Sequence, residues 1–187
     1  LPKEAGFAVA FRHAGAIWFG AFGGMPPAPL GGLLHVDGLG PKIGSPAVAA
    51  SGDRMMVAWA DRASKDDPWS VRYAFFHTGD ASAQAKTFSL DGGAPERAMS
   101  PALASLGGGR FLFVWTTCPE GGCQVRGAVF DADGSTSAPF TASADGVNAG
   151  QGQAAVLPDG RGVVAFLAAA GRHVFEVHAA PIHCTEK

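Results

Sequence analysis

Charge is scarce in this sequence. Only 16% of its 187 residues are Asp, Glu, Lys or Arg, where a soluble domain usually carries about a quarter. Disorder is excluded, because it needs low hydrophobicity with high charge, and apolar residues here reach 47%. The formal net charge of -2 leaves no basic surface for nucleic acid and no electrostatic case for an acidic membrane. No apolar run reaches the roughly 18 residues of a membrane-spanning helix. The chain opens on Leu1 rather than Met and shows no signal peptide, so residue 1 is expected to be a processing point or an artificial boundary.

Chemical signatures are as sparse as charge. No glycine-rich loop follows a strand and opens a helix, so the many glycines do not point to a nucleotide. No nucleophile elbow occurs. Asp131-Ala132-Asp133-Gly134 begins like a calcium loop but lacks its third ligand position and distal Glu, and reads as a hairpin turn. His173, His178 and His183 fall at five-residue intervals beside Cys184. In an extended segment His178 faces away from the other two, so strand histidines on a solvated face are the simpler reading. No cofactor is expected.

Cysteine is nearly absent too, with three in the chain. Cys118 and Cys123 flank Pro-Glu-Gly-Gly, a turn-forming tetrapeptide that brings the two sulfurs together, so a disulfide is expected. Four intervening residues and no second pair argue against zinc. Cys184 is left over, free or paired with another chain. A disulfide implies an oxidising compartment, so a secreted, cell-surface or periplasmic location is expected.

Glycine (27) and proline (13) are abundant and dispersed, as many short strands joined by tight turns require. The chain also repeats itself. Four apolar strands end in an aromatic: Ala8-Val9-Ala10-Phe11, Met56-Val57-Ala58-Trp59, Leu112-Phe113-Val114-Trp115 and Val163-Val164-Ala165-Phe166. Phe11 to Trp59 is 48 residues, Trp59 to Trp115 is 56 and Trp115 to Phe166 is 51, which suits a four-stranded unit with three turns. An alternating strand follows each anchor, as in Val71-Arg72-Tyr73-Ala74 and Val125-Arg126-Gly127-Ala128. Outer strands are expected at Lys86 to Leu90 and Ala138 to Ala142, with Pro139 at an edge because proline cannot donate to a ladder. Small-residue strands precede three anchors: Ser45-Pro46-Ala47-Val48-Ala49, Ser100-Pro101-Ala102-Leu103-Ala104 and Gly152-Gln153-Ala154-Ala155-Val156.

The pattern of Ser-Pro-Ala, glycine turn, aromatic-ended strand and Asp-Ala-Asp-Gly resembles bacterial β-propeller repeats over nearly the whole chain. That resemblance implies an all-β fold: a propeller or partial propeller of about four blade-like repeats, each a four-stranded antiparallel sheet. The repeats are placed at about 1–40, 41–93, 94–147 and 148–187. Three, four, four and three strands are expected in turn, because the first copy shows no small strand and the fourth no outer strand. Two open sheet edges are an aggregation hazard, so the ring is expected to be completed by another polypeptide or by a second copy of the chain. In a propeller the small strand lines the axis, where space is tight, and the anchor aromatics are expected to pack between blades. High Ala and Gly content fits a GC-rich bacterial source.

The small strands carry Ser45, Ser100 and Gln153 but no Asp, Glu, His or Arg, so paired carboxylates for glycoside hydrolysis are missing where a propeller enzyme would hold them. Ser51-Gly52-Asp53 begins like the aspartate-box turn of sialidases, but the residues after it do not fit. The longest loop between aromatic and alternating strands supplies the binding candidates Arg62, Lys65, Asp66, Asp67 and Trp69, a charged and aromatic mixture suited to recognition. The expected function is a non-enzymatic secreted or surface module that binds protein through its loop rim or completes a larger propeller. The alternatives are a lectin-like carbohydrate binder and one chain of a propeller enzyme.

Overall fold

Period-two alternation broken by Gly and Asp turns builds hairpins, and hairpins in series build meandering antiparallel sheets. The computed structural model describes residues 6–24, 26–36, 42–77, 85–87, 97–157 and 159–184. These residues form four successive antiparallel sheets and no helix, the blades of a β-propeller. In the first sheet β1 (Gly6–His13) pairs with β2 (Ala16–Gly23), whose other edge takes both β3 (Ala28–Pro29) and β4 (Leu34–Val36). In the second, β5 (Lys42–Ile43) and β6 (Ala47–Ser51) share one edge of β7 (Arg54–Arg62), followed by β8 (Ser70–His77) and β9 (Ala85–Thr87). The third runs β10 (Ala98–Gly107), β11 (Arg110–Thr117), β12 (Gln124–Phe130) and β13 (Phe140–Thr141). The fourth has β14 (Ala149–Val156), β15 (Arg161–Gly171) and β16 (Val174–His183).

Of the outer strand expected at Lys86 to Leu90, Lys86 and Thr87 lie in β9, and residues 88–90 lie outside the described residues, as do 92–96 of the following loop. Ala138 to Ala142 contributes only Phe140–Thr141, because Pro139 brings no N–H to the ladder. Phe140 lies over Gly127: a Cβ there would meet the ring at 2.5 Å, so the glycine in Val125-Arg126-Gly127-Ala128 is a packing requirement. The Asp131 turn forms as a hairpin, with Gly134 donating to the Asp131 carbonyl at 2.9 Å and Ser135 N–H donating to the Asp133 carboxylate at 2.8 Å. Cys118 and Cys123 are joined.

Three apolar cores lie between successive sheets. Ile17 and Phe19 meet Val57, Trp59 and Phe76. Met56, Ala58 and Val71 meet Phe113, Trp115 and Phe130. Leu112, Val114 and Val125 meet Val164 and Phe166. Each anchor aromatic after the first thus faces the sheet before its own. Trp59 and Trp115 are fully buried and Phe166 nearly so. Fully burying such a side chain is worth roughly 1.5–3 kcal/mol. Phe11 differs: its strand sends Ala8 and Ala10 into the first core, and Phe11 points the opposite way and is 38% exposed. Polar ties reinforce the cores. Ser51 Oγ accepts from Gly109 N–H at 2.9 Å, so the Ser51-Gly52-Asp53 turn joins two blades. Arg54 stacks over Phe75 and donates to the carbonyls of Asp131 and Ala132 in the next sheet.

Candidate functional site

The inner strands share a defect that their apolar pattern does not display. Apart from a second irregularity of β10 between Ser105 and Gly107, β5 and β6 together, β10 and β14 each carry one extra residue relative to the strand they pair with. The extra residue falls at the same level each time: in Gly44-Ser45-Pro46, in Ser100-Pro101 and in Gln151-Gly152. A bulge of this kind bends the strand and re-aims a side chain. Ser100 and Gln151 take left-handed backbone, with φ of 51° and 55°, a conformation costing of order 1–3 kcal/mol for a non-glycine residue. Thr116 Oγ1 accepts the Gln151 N–H at 3.0 Å, and Gly44 N–H donates to the Ala60 carbonyl at 2.7 Å, so backbone donors freed at two of the bulges are used.

Register also corrects the alignment of the repeats. Ala102 faces Val114 and Gln153 faces Ala165, so the residue equivalent to Ser100 is Gln151, one position earlier than the small-residue pattern places it. The inner ends of the blades thus present Ser45, Ser100 and Gln151 in equivalent places.

These bulges enclose a cavity of about 640 Å³ lined by Ser45, Trp69, Met99, Ser100, Gln151, Gln153 and small apolar residues. No Asp, Glu, His, Lys or Arg lines it. It falls within the roughly 300–1,000 Å³ of small-molecule sites. The binding candidates of the sequence separate here. Trp69 lines the cavity, held by its carbonyl, which accepts Ala98 N–H at 3.0 Å. Arg62 lies over the Trp69 ring at 4.9 Å and donates to the Lys65 carbonyl at 2.7 Å, so it orients the tryptophan from behind. Lys65, Asp66 and Asp67 are exposed on the loop and do not line the cavity. Gln151 and Met99 are absent from the sequence candidates.

What this lining can do follows from its chemistry. Hydroxyl and amide groups donate and accept in both directions, and an indole face offers apolar contact. Together they suit a neutral ligand that has many hydroxyls and one apolar face. Buried carboxylate chemistry lies elsewhere: Asp61, buried, pairs with Arg72 at 2.9 Å, and its strand alternation turns it toward the first sheet, away from the cavity.

A larger cavity, about 860 Å³, lies between the outer parts of the third and fourth sheets, lined by Arg110, Asp131, Asp133, Phe140, His183 and Cys184. Its charges are already engaged. Arg110 Nε meets Asp131 at 3.0 Å, and hydrogen bonds from Ser135 hold the Asp133 carboxyl below its usual range. The smaller cavity is the better site despite its size, because three strained or bulged segments converge on it. Among the described residues no three His, Cys, Asp or Glu side chains converge on a metal position.

No protein-family model and no curated protein matches the chain. Solved structures do. An endo-arabinase from Bacteroides thetaiotaomicron is similar at a TM-score of 0.53 and 10% identity, over 95% of this chain and 74% of that one. An α-L-arabinanase from Penicillium chrysogenum, complexed with arabinobiose, is similar at a TM-score of 0.53 and 10% identity, over 96% of this chain and 59% of that one. This chain therefore spans about three quarters of the first and three fifths of the second. At such identity the likeness shows the fold, a β-propeller.

Proposed function

We propose that this chain is the glycan-binding part of a carbohydrate-active propeller, holding a neutral oligosaccharide of the arabinan kind in the cavity at the inner bulges. The observation that carries the reading is the lining itself: one indole beside Ser45, Ser100, Gln151 and Gln153, with no charge. The endo-arabinase and the α-L-arabinanase complexed with arabinobiose, both similar in fold, support the ligand class. Cleavage by paired carboxylates, about 5–10 Å apart in most glycosidases, would need groups from beyond this lining, so the lining by itself supports binding without turnover. The cavity favours this reading over protein docking through the loop rim, because Trp69 is part of the cavity wall instead of projecting from the loop. The Cys118–Cys123 disulfide supports a location outside the reducing cytosol.

Isothermal calorimetry with arabinobiose and longer arabino-oligosaccharides tests the proposal. Binding is expected to weaken at least about fivefold in Trp69→Ala, the loss of a contact worth 1 kcal/mol or more, and no new reducing ends are expected on incubation. No heat at millimolar sugar, or equal affinity in Trp69→Ala, would overturn it.

A further inference from the structure

The two end sheets carry the inter-blade pattern on faces that nothing covers. Anchor aromatics face the preceding sheet, and Trp59 and Trp115 are fully buried there, yet Phe11 at the same register position is exposed. The reverse holds for the position that faces the following sheet. Ile17, Val71 and Val125 occupy it in the first three sheets, each paired next to the anchor's partner, and all are buried. Val177 is their equivalent in the fourth, because His178 faces Phe166 as Arg126 faces Trp115, and Val177 is 76% exposed. Val163 stands where buried Met56 and Leu112 stand, and it too is exposed.

Each face therefore carries one half of the inter-blade pattern, and the complementary half lies on the other end sheet. Within the chain every junction sets small and aliphatic residues of one sheet against an aromatic anchor of the next. The first sheet's outer face offers the aromatic half, with Phe7 stacked on Phe22 beside Phe11. The fourth offers the aliphatic half: Val163, Leu167 and Val177. Both faces are exposed, so the first and fourth sheets do not cover one another. Propellers close with about four to eight blades, and two copies of four sheets make eight.

We propose that a second copy of this chain covers both faces. The fourth sheet of each copy packs against the first sheet of the other, making an eight-bladed ring with two equivalent head-to-tail junctions. Phe11 of one copy then lies against Val163 and Val177 of the other, as Trp115 lies against Met56 and Val71 within the chain. Uncovered apolar faces of this kind mark interaction surfaces, and a ring that closes avoids open-ended polymerisation. This inference does not depend on what the cavity binds.

Light scattering after size exclusion, under reductant so that Cys184 cannot link chains, tests it. The wild-type chain is expected to run at twice its 19.0 kDa down to micromolar concentration. Phe11→Glu and Val177→Glu damage opposite halves of each junction, so either alone is expected to shift the mass to that of the single chain. Asp66→Ala, on the exposed loop, is expected to stay at the double mass. Circular dichroism of both Glu variants reports whether the sheets persist. A wild-type mass of 19.0 kDa overturns the proposal by itself, whatever the variants do. So does a dimer that both folded Glu variants leave intact.

Discussion

Gly152→Ala puts the packing between the third and fourth sheets to a quantitative test. Gly152 is buried in the bulge of β14, and a Cβ built on it would lie 2.6 Å from Val125 Cγ1 and 2.8 Å from Val114 Cγ1. Carbon atoms in contact prefer about 3.5–4.0 Å, so two valines must move by close to an ångström. Both are fully buried in the core that Phe166 enters, and neither has an open side to move toward. Overpacking of this kind costs about 1–3 kcal/mol, offset by the roughly 0.4–1 kcal/mol that alanine removes from the unfolded chain's entropy. The net expectation is about 1–2 kcal/mol, a fall in Tm of roughly 2–8 °C for a domain of this size. Scanning calorimetry measures it. Gly31→Ala is the comparator, because nothing lies within 4 Å of its Cβ position, and it is expected within about 0.5 kcal/mol of the parent. Adding Val125→Ala to Gly152→Ala should cost less than Val125→Ala does alone. A Gly152→Ala chain that melts at or above the parent temperature would mean that Val114 and Val125 are not held tightly against β14.

Two further outcomes follow from the cysteines. Reducing Cys118–Cys123, or replacing both by Ala, opens a loop of sequence separation 5. It is expected to lower stability by about 2 kcal/mol on the chain-entropy model, seen as a lower midpoint in urea. Burial pushes the Cys184 thiol above its usual pKa, with Arg110 opposing in part, so less thiolate is present at any given pH. Alkylation by iodoacetamide is then expected to reach half-rate at a higher pH in the folded protein than in urea. A lower pH in the folded protein would contradict the burial assigned to it.

The blade order was legible because period-two alternation and a fifty-residue repeat are properties of the sequence itself. Trp59, Trp115 and Phe166 show as anchors for that reason, and Pro-Glu-Gly-Gly shows the disulfide turn. The site was less legible, because a bulge is a relation between two strands. One extra residue in β10 or β14 leaves the apolar pattern almost unchanged, and so Gln151 passed for a flanking residue while Gly152 took the place of Ser100. A signal did exist: proline in an inner strand cannot donate to the ladder, and Pro46 and Pro101 both sit at the interruption. Trp69 stood out in sequence by being the aromatic of a long loop, but its position against Arg62 and the inner strands depends on how that loop folds back. Phe11 was expected between blades like its counterparts. Its exposure arises from what does not cover the first sheet, which no local pattern records.

The most direct test of the functional reading is a crystal structure of the chain grown with an arabino-oligosaccharide at saturating concentration. A sugar ring is expected against Trp69, with hydroxyls hydrogen-bonded to Ser100 and Gln151. Sugar bound only in the cavity beside Arg110 and Cys184, or an empty site at the inner bulges, would contradict it.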